Sequence, residues 1–436
     1  MEPADLLITP RWLLPIAPAN IALEGHAVAI SAGRIVAVGP VAELESRFDA
    51  QERISRSSHA LLPGFVNAHT RASMALMRGL RVHAPVLRWQ RETVAPAESI
   101  VSPDFVREGT QFAIAEMLRA GITAFSDSYL FPEEAARAAA EARVRAVIGL
   151  PVSEAGGPAA ADSAAHLDRA AQLWDDYRAD PWVSLYFAPP APFAIDDATL
   201  GRLRIVADEL DARIAMPVHE TALEVQDSVS QHGLRPLQRL EKLGLLRPGF
   251  TAVHMNHLEP GDIARARTAG LSVVACPQAD LRLGSGSCAV SALLQAGVPF
   301  GLGSDSPVAS GAFDLLAEAR LAALLSATDG GISAADALSA ATLGGAIALG
   351  LGTTCGSLEP GKSADLICID LATLACEPFT SVADAVLFGA TRREITDVWT
   401  GGRHALRESQ LLAFDERELA RLARQWADRV SSGVNR

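Results

Sequence analysis

No two cysteines in this sequence are spaced as C-x-x-C, and the five present, Cys276, Cys288, Cys355, Cys368 and Cys376, are odd in number. That pattern excludes a disulfide framework and a thiolate zinc site, and reads as buried, reduced thiols of a cytoplasmic protein. Positive charge is short as well. The 38 Lys+Arg stand against 51 Asp+Glu, a formal net charge of −13, and such a surface is repelled by phosphate backbones and anionic lipid. Nucleic acid and membrane are therefore set aside as partners. The first ten residues lack a basic n-region and a small-residue cleavage site, so they do not read as a signal peptide. No apolar run reaches the roughly 18 residues that span a bilayer. Internal repeats and low-complexity tracts are missing too.

What is present is apolar mass: 49% hydrophobic and 20% charged residues over a 436-residue chain. Global disorder is excluded, because this composition buries a large core. Length alone permits two or three domains, or one long barrel with an addition.

Short β-type runs dominate the start of the chain, with Ala27–Ser31 and Arg34–Val38 joined by the turn Ser31-Ala32-Gly33. From Leu61 the pattern changes to apolar strand-like runs separated by alanine- and leucine-rich helical stretches. The strand candidates are Leu61–His69, Ile122–Ser126, Ala146–Val152, Val183–Ala188, Arg213–His219, Thr251–Met255, Leu271–Cys276 and Phe300–Ser304. Eight such strands predict an α/β fold with a closed (β/α)8 TIM-type barrel. An alanine-rich helix near Ala334–Leu349 follows, β character returns at Ala364–Ile369 and Ile395–Trp399, and Asp415–Val430 reads as a surface helix. The expected domains are 1–60 plus 355–410 as a small β-sandwich built from both termini, 61–354 as the barrel, and 411–436 as a C-terminal helix.

Gly356–Ser363 matches the phosphate-loop pattern G-x-x-x-x-G-K-S letter for letter. The chemistry of that loop needs a strand before it and a helix after it, so that backbone N–H groups hold the phosphates. Here a strand-like run follows and Pro360 interrupts the loop. The segment is a turn entering a β-strand.

In such a barrel, function gathers at the C-terminal ends of the strands. Four ends carry polar chemistry: Asn67-Ala68-His69-Thr70-Arg71, His219-Glu220-Thr221, His254-Met255-Asn256-His257 and Gly303-Ser304-Asp305-Ser306. Any one of these residues alone reads as a hydrogen-bonded structural group. Imidazoles and carboxylates converging on one face are what metal-assisted hydrolysis uses to bind an ion, activate water and move protons.

The segments Leu62–Thr70, Ala115–Thr123, His219-Glu220-Thr221 and Gly303-Ser304-Asp305 resemble the amidohydrolase superfamily, in its chlorohydrolase/deaminase branch. Within that branch the similarity is strongest to 5-methylthioadenosine/S-adenosylhomocysteine deaminases, and Gly356–Leu366 and Thr396–Trp399 extend it over nearly the whole chain. The resemblance implies a divalent metal such as zinc, with His69 and Asp305 as ligands. It also implies Glu220 as proton shuttle, His254 beside the reacting water and Asp305 as base, and it carries the expectation of a homodimer.

Two ligand positions depart from the family pattern. The second histidine of the H-x-H is Arg71, and the strand-five histidine, three residues before Glu220, is Pro217. His219 does not obviously compensate. His69 and Asp305 alone fall short of the three protein ligands usual for catalytic zinc. Arg71 is always charged, ligates no metal, and can pair with Asp305 or hold an anionic group. Pocket positions change as well, at Pro189–Phe193 and at Ala275-Cys276-Pro277-Gln278-Ala279-Asp280, so methylthioadenosine itself is not the expected substrate. Two readings follow. One is a hydrolase of non-peptide C–N bonds in a small purine-, pterin- or triazine-like molecule, with a degraded or rearranged metal site in which Arg71 joins Glu220, His254 and Asp305. The other is a catalytically inactive relative with a binding, regulatory or scaffold role.

Overall fold

The computed structural model describes residues 1–82, 85–154 and 162–434. Eight parallel strands form the central sheet in chain order: Phe65–Thr70, Ile122–Asp127, Arg145–Pro151, Val183–Ala188, Arg213–Val218, Phe250–His254, Ser272–Ala275 and Phe300–Leu302. All six residues of the first two are buried, as expected for parallel strands covered on both faces. The barrel closes where strand eight returns to strand one. A parallel bridge joins Thr70 to Asp305, and the Asp305 N–H donates to the His69 carbonyl at 3.0 Å. Closure therefore sets two chemically active strand ends side by side.

Leu61–His69, expected as one strand, is divided at Gly64. Phe48–Pro63 belongs to the other sheet and Phe65–Thr70 to the barrel. The chain passes so close to strand two at this point that a Cβ on Gly64 would lie 2.1 Å from the Thr123 hydroxyl. Only glycine fits there.

The second sheet has nine strands drawn from both ends of the chain. Glu2–Leu13 pairs in parallel with Phe48–Pro63, and the late strand Leu366–Asp370 pairs antiparallel with the other side of Phe48–Pro63. This sheet carries separate apolar clusters, one around Ile8, Leu61 and Trp399 and one around Leu7, Ala29 and Phe48. The phosphate-loop look-alike lies here as turns leading to Leu366–Asp370, its Lys362 ammonium bound to Ser357 Oγ at 2.5 Å and Glu359 at 2.8 Å.

Helix Pro103–Arg119 starts at Ser102, whose hydroxyl accepts the Phe105 N–H, a standard helix start with proline in the first turn. The C-terminal helix Glu416–Val434 packs on it: Trp426 meets the Phe105 ring edge-on at 5.2 Å and donates its indole N–H to Glu108 at 2.6 Å. Among the described residues no helix is long and apolar enough to cross a membrane.

Candidate functional site

The strand ends that carry polar chemistry also carry backbone strain. His219, His254, Met255 and Asp305 all have positive φ, between 50° and 71°. Non-glycine residues adopt this conformation only when their surroundings impose it, and such residues cluster at functional sites. Here they fall at the points where strands five, six and eight give way to the loops that follow them.

Strands one and eight are locked by a reciprocal pair. Asn67 Nδ2 donates to Ser304 Oγ at 2.8 Å, and the Ser304 N–H donates to Asn67 Oδ1 at 3.0 Å. Gly303 makes this approach possible, since a Cβ there would lie 2.8 Å from His69 Cβ and 2.9 Å from the His69 backbone. Gly303→Ala is expected to destabilise the fold by about 1–3 kcal/mol through overpacking, read as a lower denaturation midpoint; an unchanged midpoint would contradict this packing.

His69 and Arg71 converge on one oxygen. His69 Nε2 lies 3.8 Å from Asp305 Oδ1, and Arg71 Nε lies 3.9 Å from the same atom. Both distances exceed a hydrogen bond, and both His69 Nε2 and Asp305 Oδ1 are buried without a hydrogen-bond partner. Burial drives the His69 imidazole down to about 3, so it is neutral near pH 7. Burial also works against ionisation of Asp305, but Arg71 and then His69 and His254 outweigh it and hold the carboxyl below its ordinary value.

His254 stands next to His69, ring centroids 6.0 Å apart, and its Nδ1 lies 2.8 Å from Asp280 Oδ1. Burial alone would depress its pKa. The adjacent Asp280, together with Glu220 and Asp305, outweighs burial and raises it to about 10, so His254 is an imidazolium at neutral pH. Glu220, partly open to the mouth of the barrel, is still deep enough for burial to push its carboxyl upward, against the pull of His254. Its turn is held by Glu224, which accepts the N–H of His219 at 3.2 Å and of Glu220 at 2.8 Å.

The sequence profile described as "Amidohydrolase family" matches residues 60–405. The chain belongs to the amidohydrolase family. A short second match, to an imidazolonepropionase-like composite domain of bacteria, covers residues 27–50. A curated 5-methylthioadenosine/S-adenosylhomocysteine deaminase from Saccharophagus degradans is 37% identical over 437 residues, covering 99% of this chain and 98% of that protein. The solved structure of an adenosine deaminase from Xanthomonas campestris with bound zinc superposes with TM-score 0.97 at 41% identity, covering 99% of both chains. An atrazine chlorohydrolase from Arthrobacter aurescens, complexed with zinc, shares the fold at TM-score 0.89 and 21% identity, covering 97% of this chain and 100% of that one.

Within this amidohydrolase chain the expected residues divide into two groups. His69, Arg71, Glu220, His254 and Asp305 share the barrel mouth, coupled through Asp305 and His254. His219 does not join them. It is fully buried, its Nε2 accepts the Leu237 N–H at 3.2 Å, and its Nδ1 faces Asp262 at 3.7 Å, so it braces the helices behind strand five. Pro217 lies inside strand five opposite Val253 and offers no donor atom. Among the described residues no group of three or more His, Cys, Asp or Glu side chains is arranged to hold a metal ion. Of the ligand positions the family pattern marks, His69 and Asp305 keep donor atoms, and the Arg71 guanidinium stands 3.9 Å from Asp305 Oδ1.

Two participants were missed in the sequence. Asp280 was read only as a changed pocket position, whereas it is the ion-pair partner that keeps His254 charged. Asp127, at the end of strand two, accepts the Ala72 N–H at 2.6 Å and so ties down the turn that follows Arg71; burial raises its carboxyl to about 6. For Asp127 the available signal was a carboxylate ending a barrel strand; Asp280, inside the helix Pro277–Leu283 that follows strand seven, offered no comparable one.

Proposed function

We propose that this chain is a metal-poor hydrolase acting on a non-peptide C–N bond of a small, electron-poor N-heterocycle. The observation that carries the reading is the shared approach of His69 and Arg71 to Asp305 Oδ1, beside His254 and Glu220. A zinc centre supplies two positive charges and a hydroxide near neutral pH. In this chain the two charges come from the Arg71 guanidinium and the His254 imidazolium, which stabilise negative charge developing on the ring as fixed donors do in other enzymes. Glu220, with its raised pKa, removes the proton from an attacking water and returns it to the leaving nitrogen. Arginine does not generate hydroxide. The ring must therefore be more electrophilic, or its leaving group better, than in adenosine, and deamination of adenosine or methylthioadenosine is expected to be negligible.

The same missing hydroxide favours a second reading, a protein that binds such a heterocycle without turnover. The test measures zinc, iron and manganese in purified protein while purines, pterins, cytosine analogues and triazines are screened for ammonia release. The expected result is less than stoichiometric metal, turnover of an electron-poor ring, and a loss of about 10²–10⁴-fold in Glu220→Gln. Stoichiometric metal with turnover of adenosine would falsify the metal-poor reading. Saturable binding with no product from any ring would replace the hydrolase with the binding protein.

A further inference from the structure

Outside the barrel mouth, helix Pro103–Arg119, the turn before strand Ile395–Thr400 and the start of the C-terminal helix enclose a cleft of about 390 Å³. None of the mouth residues lines it. Its rim holds four arginines, Arg78, Arg119, Arg392 and Arg393, against two glutamates, Glu116 and Glu416. The difference is two positive charges, in a chain whose formal charge is −13. The glutamates are already committed: Glu116 lies 2.5 Å from Arg78 and 3.5 Å from Arg392, and Glu416 lies 2.5 Å from Arg119. The Arg393 side chain is exposed and has no hydrogen bond or ion pair with the described residues. Between these charges the floor is apolar, formed by Phe112, Leu411 and Leu419. The Arg78 guanidinium stands 5.9 Å from the centre of the Phe112 ring.

We propose that this cleft binds a phosphomonoester carried on a small aromatic body. A phosphomonoester bears about −1.5 to −2 charge at neutral pH, which matches the two-charge excess. Its oxygens suit the planar forks of Arg392 and Arg393, which bind phosphate in a bidentate manner. The aromatic body covers the apolar floor, and the volume falls in the range of small-ligand sites.

Phenyl phosphate is the probe, titrated by calorimetry against the full chain, with inorganic phosphate, phenol and benzoate alongside. One saturable phenyl phosphate site per chain is expected, weakened by salt, with inorganic phosphate and benzoate weaker and phenol silent. The doubly substituted Arg392→Ala/Arg393→Ala chain, altered only at exposed positions, should melt like the wild type and bind about tenfold or more weakly. Three results overturn the assignment: no binding, binding unchanged in the double variant, or benzoate binding as tightly as phenyl phosphate. Loss of binding in Arg71→Ala instead would place the ligand in the barrel mouth and also overturn it.

Discussion

Arg71→His combined with Pro217→His is expected to raise bound zinc above the wild-type level, to about one ion per chain, as a site with three or more protein ligands does. The double change supplies the two missing imidazoles and removes the cation that stands 3.9 Å from Asp305 Oδ1. Metal analysis of purified protein, normalised to chain concentration, reads the outcome. Each single change should do far less. Pro217→His leaves the guanidinium in place to repel a cation, and Arg71→His leaves strand five without a donor. If the double variant folds normally and its metal content does not rise, the placement of the vacated ligand positions is wrong. The result is independent of any substrate, so it tests the centre even if the reaction assigned to it fails.

Asp280→Asn should bring the His254 pKa down from about 10 towards the ordinary histidine value of about 6.5. Asp280 is the principal group holding that proton against burial, with its oxygen 2.8 Å from Nδ1. Breaking a buried pair by removing one partner costs about 3–5 kcal/mol, so the variant should lose stability as well as its imidazolium. The pH dependence has a definite sign. A histidine whose pKa is raised on folding contributes stability that is complete below about 6.5 and is lost as the pH climbs through the folded value. Wild-type stability should therefore fall progressively between about pH 6.5 and about 10 and level off above that, and the variant should be flatter across that window. Imidazole resonances followed by NMR give the pKa directly. A His254 that still titrates near 10 in the variant would transfer the credit to Glu220 and Asp305.

How much of this was legible beforehand depended on how local the signal was. Ile122–Asp127 and Val183–Ala188 stand out because a strand buried on both sides reads as an apolar run. The first barrel strand was harder, since the apolar run Leu61–His69 continues through Gly64 while the chain changes sheets. The reason for the break, the Thr123 side chain pressed against Gly64, lies in another strand. Asp280 escaped for the same reason. Its letter was visible, but its partner His254 ends a different strand, and only neighbouring positions on the barrel rim unite them.

The sequence by itself determined which strand ends carry chemistry and that histidine is absent from two ligand positions, because both are matters of residue identity at fixed spacing. It also determined the acidic balance and the lack of a disulfide framework. Only the tertiary structure decided where Arg71 points, that His219 faces away from the mouth, and that His254 keeps its proton. Those outcomes depend on distances of a few ångströms between residues from separate segments of the chain. Such distances exist only once the strands have assembled into the barrel, and burial then makes each neighbouring charge count for more than it would in water.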